Sequence, residues 1–210
     1  MVEVNLEKHW SNVPKGWRHF VDSMPPQKIT RITKRVKEKL INKLDTSSIE
    51  QILDWGCGGG LFSKILSDYG DVSVVDISED SINSAIKYHR DIKYSQLITN
   101  DIKNFKYGGK QVDLLFSNEV IQHFPSYEYF VEVTDIWFNQ IKPKTITIQV
   151  KLSNITKGTE NYNKNYLNGL LLNEVDIIER FGNHNYECVS REYDKTQSGI
   201  KMGYFIFKKK

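Results

Sequence analysis

Residues 51–66 read QILDWGCGGGLFSKIL. Ile52 and Leu53 close an apolar run, Asp54 follows, and Gly56, Gly58, Gly59 and Gly60 crowd the turn after it. Leu61, Ile65 and Tyr69 then recur at four-residue steps, with Phe62 and Leu66 beside them, which is the spacing of a helix. Strand, glycine turn and helix together open a nucleotide-type α/β site. Glycine lets the backbone approach a ligand closely, and the start of a helix offers N–H donors.

The details narrow the ligand. A dinucleotide fingerprint G-x-G-x-x-G begun at Gly56 requires glycine at position 61, which is Leu61. No G-x-x-x-x-G-K-[ST] is present, so a phosphate-cradling loop is not supported. The acidic Asp54 lies two positions before the first glycine, at the end of the strand. A carboxylate there repels a pyrophosphate and suits a cationic or amine-bearing ligand.

Bulk properties bound the remainder. A chain of 210 residues is long enough for a domain with a real core. Hydrophobic residues at 39% and charged ones at 26% are those of a soluble globular protein. No apolar run approaches the roughly 18 residues of a membrane helix. The N-terminus, MVEVNLEKHW, carries acidic residues and no apolar core, so it does not read as a secretion signal. Cys57 and Cys188 are the only cysteines; a reduced, cytoplasmic setting is expected, and a metal site built of Cys ligands is excluded by number. A net charge of +3 is mild. The lysines of residues 29–44 fall opposite an apolar stripe of Ile32, Val36, Leu40 and Leu44, which reads as a solvated helix face rather than a nucleic-acid patch.

An N-terminal helical arm is expected over residues 1–46, with Pro25 and Pro26 marking the helix start, and a single domain over 47–210. Strands are expected at 50–54, 72–76, 94–99, 112–117, 145–151, 185–191 and 200–208. Helices are expected at 60–69, 79–89, 128–140 and 173–181. This alternation predicts an α/β fold, a Rossmann-like, seven-stranded and mostly parallel sheet with helices on both faces. The last two strands are joined by a short connection near 194–199, so they form an antiparallel hairpin.

In open α/β sheets, ligands sit outside the carboxyl ends of the strands. The second strand ends in Asp76, roughly 20 residues past the glycine turn, where a carboxylate can accept both hydroxyls of a ribose. Ser78 is the better cap for the helix that follows. The third strand leads into Asp101 and Ile102, and the fourth into the segment Ser117-Asn118-Glu119-Val120-Ile121-Gln122-His123.

The form Asp-x-Gly-x-Gly resembles motif I of the class I S-adenosylmethionine (SAM) methyltransferases. The Asn118–His123 segment resembles the "EVIxH" form of motif IV in their small-molecule branch, such as the enzymes of ubiquinone biosynthesis. It is not the N/D-P-P-[YF] signature of nucleic-acid base methylation. The resemblance covers roughly residues 48–208. It implies SAM as cofactor, contacted by Asp54, Trp55, Gly56, Cys57, Gly58, Asp76 and the adjoining Ile77. It further implies that Asp101 takes the adenine amino group, that the Ile102 N–H meets the ring, and that Asn118 lines the methionine part. Trp55 departs from the small or aliphatic residue usual at its place.

Methyl transfer from a sulfonium asks mostly for alignment. A hydroxyl acceptor must also lose a proton, and histidine is the side chain suited to take it near neutral pH, which nominates His123 as base. Residues 152–170 form a polar, asparagine-rich insertion after the fifth strand, where the resembled family varies its substrate lid. Tyr162 and Tyr166 there, with Lys151 and Gln149 before it, are candidate substrate contacts. Trp10, with His9, Trp17 and Arg18, belongs to an arm that could close over the cofactor. No paired His spacing or carboxylate cluster marks a metal site. The reading is a SAM-dependent methyltransferase acting on a hydroxyl of a sugar or other small metabolite, with no membrane partner and with oligomeric state open. Three rivals stand beside it. One is a methyltransferase of RNA or protein using the 29–44 lysines, another a catalytically silent SAM-binding partner subunit, and the third a dinucleotide oxidoreductase, opposed by Leu61.

Overall fold

The computed structural model describes residues 24–89, 96–99, 105–154, 159–160, 170–196 and 199–210, with 96–99 and 159–160 described as backbone. The chain packs as two compact units, residues 1–113 and 114–210.

In the first unit, α1 spans Pro26–Lys39. Proline at the first helical position has no N–H to leave unbonded and arrives with its φ already helical, so the helix starts at the proline pair, as expected. Ile32, Val36 and Leu40 are buried as the apolar stripe requires. The helix stops at Lys39, earlier than the stripe suggests. A short 3-10 turn over Ile41–Lys43 follows, and it buries Ile41 while Leu44 stays half-buried.

Strand β1 (Gln51–Trp55) pairs in parallel with β2 (Asp71–Asp76), and β2 in parallel with β3 (Gln96–Thr99). The interior of β1 and β2 is apolar on both sides (Ile52, Leu53, Val72, Val74 and Val75 are all at most 1% exposed), as expected of parallel strands covered on two faces. Between the strands lies α2 (Leu61–Leu66), shorter than the 60–69 expected. After β2, α3 (Glu79–Tyr88) begins at Ser78, whose hydroxyl accepts from the Ser81 N–H, as expected of its cap. Gly70 is fixed by space: a Cβ there would stand 2.8 Å from the Glu50 carbonyl oxygen. Asp113 closes the unit by accepting from the N–H groups of Glu50 and Gln51, both at 2.9 Å.

In the second unit, β4 (Leu114–Ser117) pairs in parallel with β5 (Thr145–Ser153). A 3-10 turn over Ile121–His123 leads to α4 (Tyr127–Ile136), which ends in a π-turn over Trp137–Ile141. The insertion after β5 contributes two strands the sequence does not announce. These are β6 (Thr159–Glu160) and β7 (Leu170–Asn173), paired antiparallel to each other, with β7 parallel to the end of β5. Helix α5 (Glu174–Asn183) follows, then β8 (Tyr186–Lys195) and β9 (Lys201–Lys209) run antiparallel, with β9 antiparallel to β5. An aromatic core backs this sheet. Phe181 of α5 stacks on Phe207 at 4.0 Å, and Phe138 meets Phe181 edge-on at 5.1 Å. All seven expected strands are present, and both added strands are short.

Candidate functional site

In the first unit, the glycine turn is built by backbone geometry. Gly56, Gly58 and Gly60 have φ of 77°, 53° and 80°, a region closed to most side chains. The N–H groups of Gly56 and Cys57 both bond the Val75 carbonyl, at 2.7 and 3.1 Å, so the turn folds back over the end of β2. This brings the Gly58 N–H to Asp76 Oδ2 at 2.9 Å, while Asp76 Oδ1 accepts from the Ser78 N–H at 2.9 Å. Each carboxylate oxygen is thus oriented by a backbone donor.

Asp54, 2% exposed, accepts a 2.6 Å bond from the Ser63 hydroxyl of α2. Burial pushes its carboxyl up to about 7, against the pull of the Ser63 bond, and the neighbouring charge of Asp76 adds to the rise. Burial likewise lifts Asp76 to about 6, although the N–H groups of Ser78, Gly58 and Ile77 oppose it. The Cys57 thiol is pushed well above its ordinary range by burial and by the two carboxylates, so it is unreactive. Two carboxylates held side by side out of water form a cradle that gains from a cation. Trp55, whose bulk stood out in the sequence, is 2% exposed, and its indole tilts against Phe105 at 5.2 Å.

In the second unit, β4 is followed at once by Asn118, 5% exposed, with neither Oδ1 nor Nδ2 bonded among the described residues. The next residue, Glu119, has φ of 62°, a left-handed conformation rare for a side-chain-bearing residue and common at functional turns. That kink redirects the chain into the 3-10 turn, where the His123 N–H bonds the Val120 carbonyl at 2.8 Å. The His123 ring is half-buried, with its Nε2 3.5 Å from Nε2 of the buried Gln122. Lys151, near the end of β5, is also half-buried, and burial lowers its ammonium pKa.

The structure therefore gathers Asp54, Trp55, Gly56, Cys57, Gly58, Asp76 and Ile77 in one unit. It sets Asn118, His123 and Lys151 in the other, at or just beyond the carboxyl ends of β4 and β5. Asp101, Ile102, Trp10, Tyr162 and Tyr166 lie outside the described residues. Two features were missed in the sequence. Ser63 as the partner of Asp54 carries no local signature, since the pair is nine residues apart and meets only through the fold. The left-handed Glu119 is equally silent, because no glycine or asparagine stands there to announce it.

Residues 53–136 match the family model described as a methyltransferase domain. Among solved structures, the chain is similar to N-methyltransferase NodS from Bradyrhizobium japonicum in complex with S-adenosyl-L-homocysteine. The TM-score is 0.70 at 16% identity, covering 97% of this chain and 95% of that one. It is also similar to a SAM-dependent methyltransferase of Leishmania major, at a TM-score of 0.72 and 12% identity, covering 96% and 80%. The matched segment is a methyltransferase domain, and the fold is the one these SAM-dependent methyltransferases share. Its curated relatives include a ubiquinone biosynthesis O-methyltransferase of Rickettsia bellii, 25% identical over 206 residues, covering 82% of this chain and 80% of that one. A protein of the same description from Coxiella burnetii is 29% identical over 136 residues, covering 59% and 54%.

Proposed function

We propose that the chain moves the methyl group of SAM to a hydroxyl of a small molecule. The observation that carries the cofactor half is the buried Asp76, whose two oxygens are each fixed by one backbone N–H, from Gly58 and Ser78. A carboxylate oriented in this way accepts from the two hydroxyls of a ribose without having to reorganise. Asp54 supplies negative charge for the cationic end of the cofactor, and the three left-handed glycines keep side chains out of its path. The Asn118 amide, buried with neither of its atoms bonded among the described residues, suits the polar methionine part. Asp101 and Ile102 are assigned to the adenine, and Trp10, Lys151, Tyr162 and Tyr166 to the acceptor's surroundings.

SAM, when bound, supplies a methyl carbon already activated by the sulfonium. The chain's task is then to align the acceptor oxygen and remove its proton. His123, half-buried on the turn after β4, is the assigned base. The relatives named as O-methyltransferases support oxygen as the methylated atom.

Titration calorimetry tests this reading. SAM binds and NAD does not, and Asp76→Ala weakens SAM about a hundredfold, the loss of two charge-assisted hydrogen bonds. His123→Ala leaves SAM affinity within twofold of the parent while turnover falls on the order of a hundredfold. Binding of NAD but not SAM ends the reading; undiminished turnover in His123→Ala removes the base.

A further inference from the structure

Ser63 stands inside the short helix α2, where a serine ordinarily turns its hydroxyl to solvent or back to a carbonyl of the preceding turn. Ser67, at the end of the same helix, does the latter: its hydroxyl donates to the Lys64 carbonyl at 2.8 Å. Ser63 is 0% exposed, and its hydroxyl donates instead to Asp54 Oδ2 at 2.6 Å. Asp54 lies in β1 before the glycine turn and Ser63 in the helix after it, so one side-chain bond spans the whole turn.

The surroundings of Asp54 pull its carboxyl in opposite directions. Burial disfavours the ionised form, and so does the charge of Asp76 at the end of β2. The Cys57 thiol of the turn stays protonated and adds no charge. From α2 the carboxyl meets the Ser63 hydroxyl, and that hydrogen bond favours ionisation. A hydroxyl can donate to a carboxylate and accept from a protonated carboxyl, so the contact lasts through proton exchange. The bond to the ionised oxygen is the stronger of the two, because charge assists it.

We propose that Ser63 is a positioning residue of the cofactor site: by donating to Asp54 Oδ2 it keeps that carboxylate ionised and fixed for the cationic end of the cofactor. This rests on the assignment of Asp54 to SAM above. Only an ionised Asp54 attracts a cation. Its contribution to cofactor affinity is therefore full above the folded pKa of about 7 and is lost as pH falls through it. Without the Ser63 bond the pKa rises further, and the loss begins at higher pH. Removing Ser63 then matters in mild acid and ceases to matter in mild base, whereas a loss of packing weakens binding equally at every pH.

Titration calorimetry of the full chain with SAM at pH 6.0 and pH 8.5 tests this. Relative to the parent, Ser63→Ala binds SAM about tenfold more weakly at pH 6.0, the effect of a one-unit rise in pKa, and within twofold at pH 8.5. Titration of Asp76 and of the cofactor's own amino group is common to both proteins and cancels in the ratio. As a second measurement, SAM binding at pH 7.5 releases more protons from Ser63→Ala than from the parent, read from the heats in phosphate and in Tris. Ser63→Cys, close to serine in size and a weak donor, takes the place of Ser63→Ala should that variant fold poorly. Equal weakening at both pH values, no weakening at pH 6.0, or proton release no greater than the parent's overturns the proposal. A parent that fails to bind SAM at either pH overturns the cofactor reading instead, so the two failures are told apart.

Discussion

Asp54 and Asp76 show what a single buried carboxylate contributes to this fold. Both pKa values are raised, to about 7 and about 6, with burial as the first cause. For a carboxyl whose folded pKa lies above its unfolded value of 3.8, the native chain holds more protons than the unfolded one between those two values. Stability of the ligand-free chain therefore falls as pH rises from about 4 to about 7, and this contribution is level above that. A cationic ligand reverses the preference, because it favours the ionised carboxylates. At pH 6.5, SAM binding should expel protons, so its calorimetric heat should differ between phosphate and Tris, which have different ionisation enthalpies. The difference should shrink in Asp54→Asn. Identical heats in the two buffers would show that neither carboxyl ionises on binding.

At the scale of elements, Arg180 of α5 ties that helix to α4. Its Nη2 donates to the Val131 carbonyl at 2.6 Å and to Asp135 Oδ1 at 2.8 Å, its Nε donates to the Thr134 hydroxyl, and its guanidinium lies 5.6 Å from the Phe138 ring centroid. The arginine is 13% exposed but Asp135 is 46% exposed, so solvent screens part of the ion pair and the bonds to Val131 and Thr134 matter more. Arg180→Ala should cost about 2 kcal/mol, chiefly from the loss of the charge-assisted bonds to Val131 and Thr134, and urea unfolding would measure it. A loss below about 0.5 kcal/mol would mean that water replaces the guanidinium without penalty. The elements themselves were readable because each carries its own signal. Ser78 caps α3 and Pro26 opens α1, and the alternation of β5 is visible as Thr, Ile, Thr, Ile, Gln, Val, Lys. What was not readable depends on contacts distant in sequence. The strand β7 exists because Leu172 finds Leu152, and Asp113 is drawn out of β4 because its carboxylate binds the N–H groups of Glu50 and Gln51.

For the molecule as a whole, the charge distribution bears on what the enzyme can accept. Net charge is +3, and α1 carries a cluster of cations at Lys28, Arg31, Lys34, Arg35, Lys37 and Lys39. That helix buries Ile32 and Val36, so its cations occupy the remaining faces, and Lys34 is partly spent on Glu38 at 3.9 Å, a surface pair of little energetic weight. Nucleic-acid binding would require several of these cations to track a phosphate backbone together, with affinity falling steeply as salt rises. On the reading of α1 as a solvated helix face, its cations serve helix solvation rather than such a track. Filter binding of poly(U) at 150 mM salt should therefore show a Kd no tighter than about 10 μM, in the range of non-specific attraction. Submicromolar binding that falls away with salt, and that is lost in the double variant Lys34→Glu, Lys37→Glu, would make α1 a nucleic-acid surface. An RNA acceptor would then displace the small hydroxyl compound.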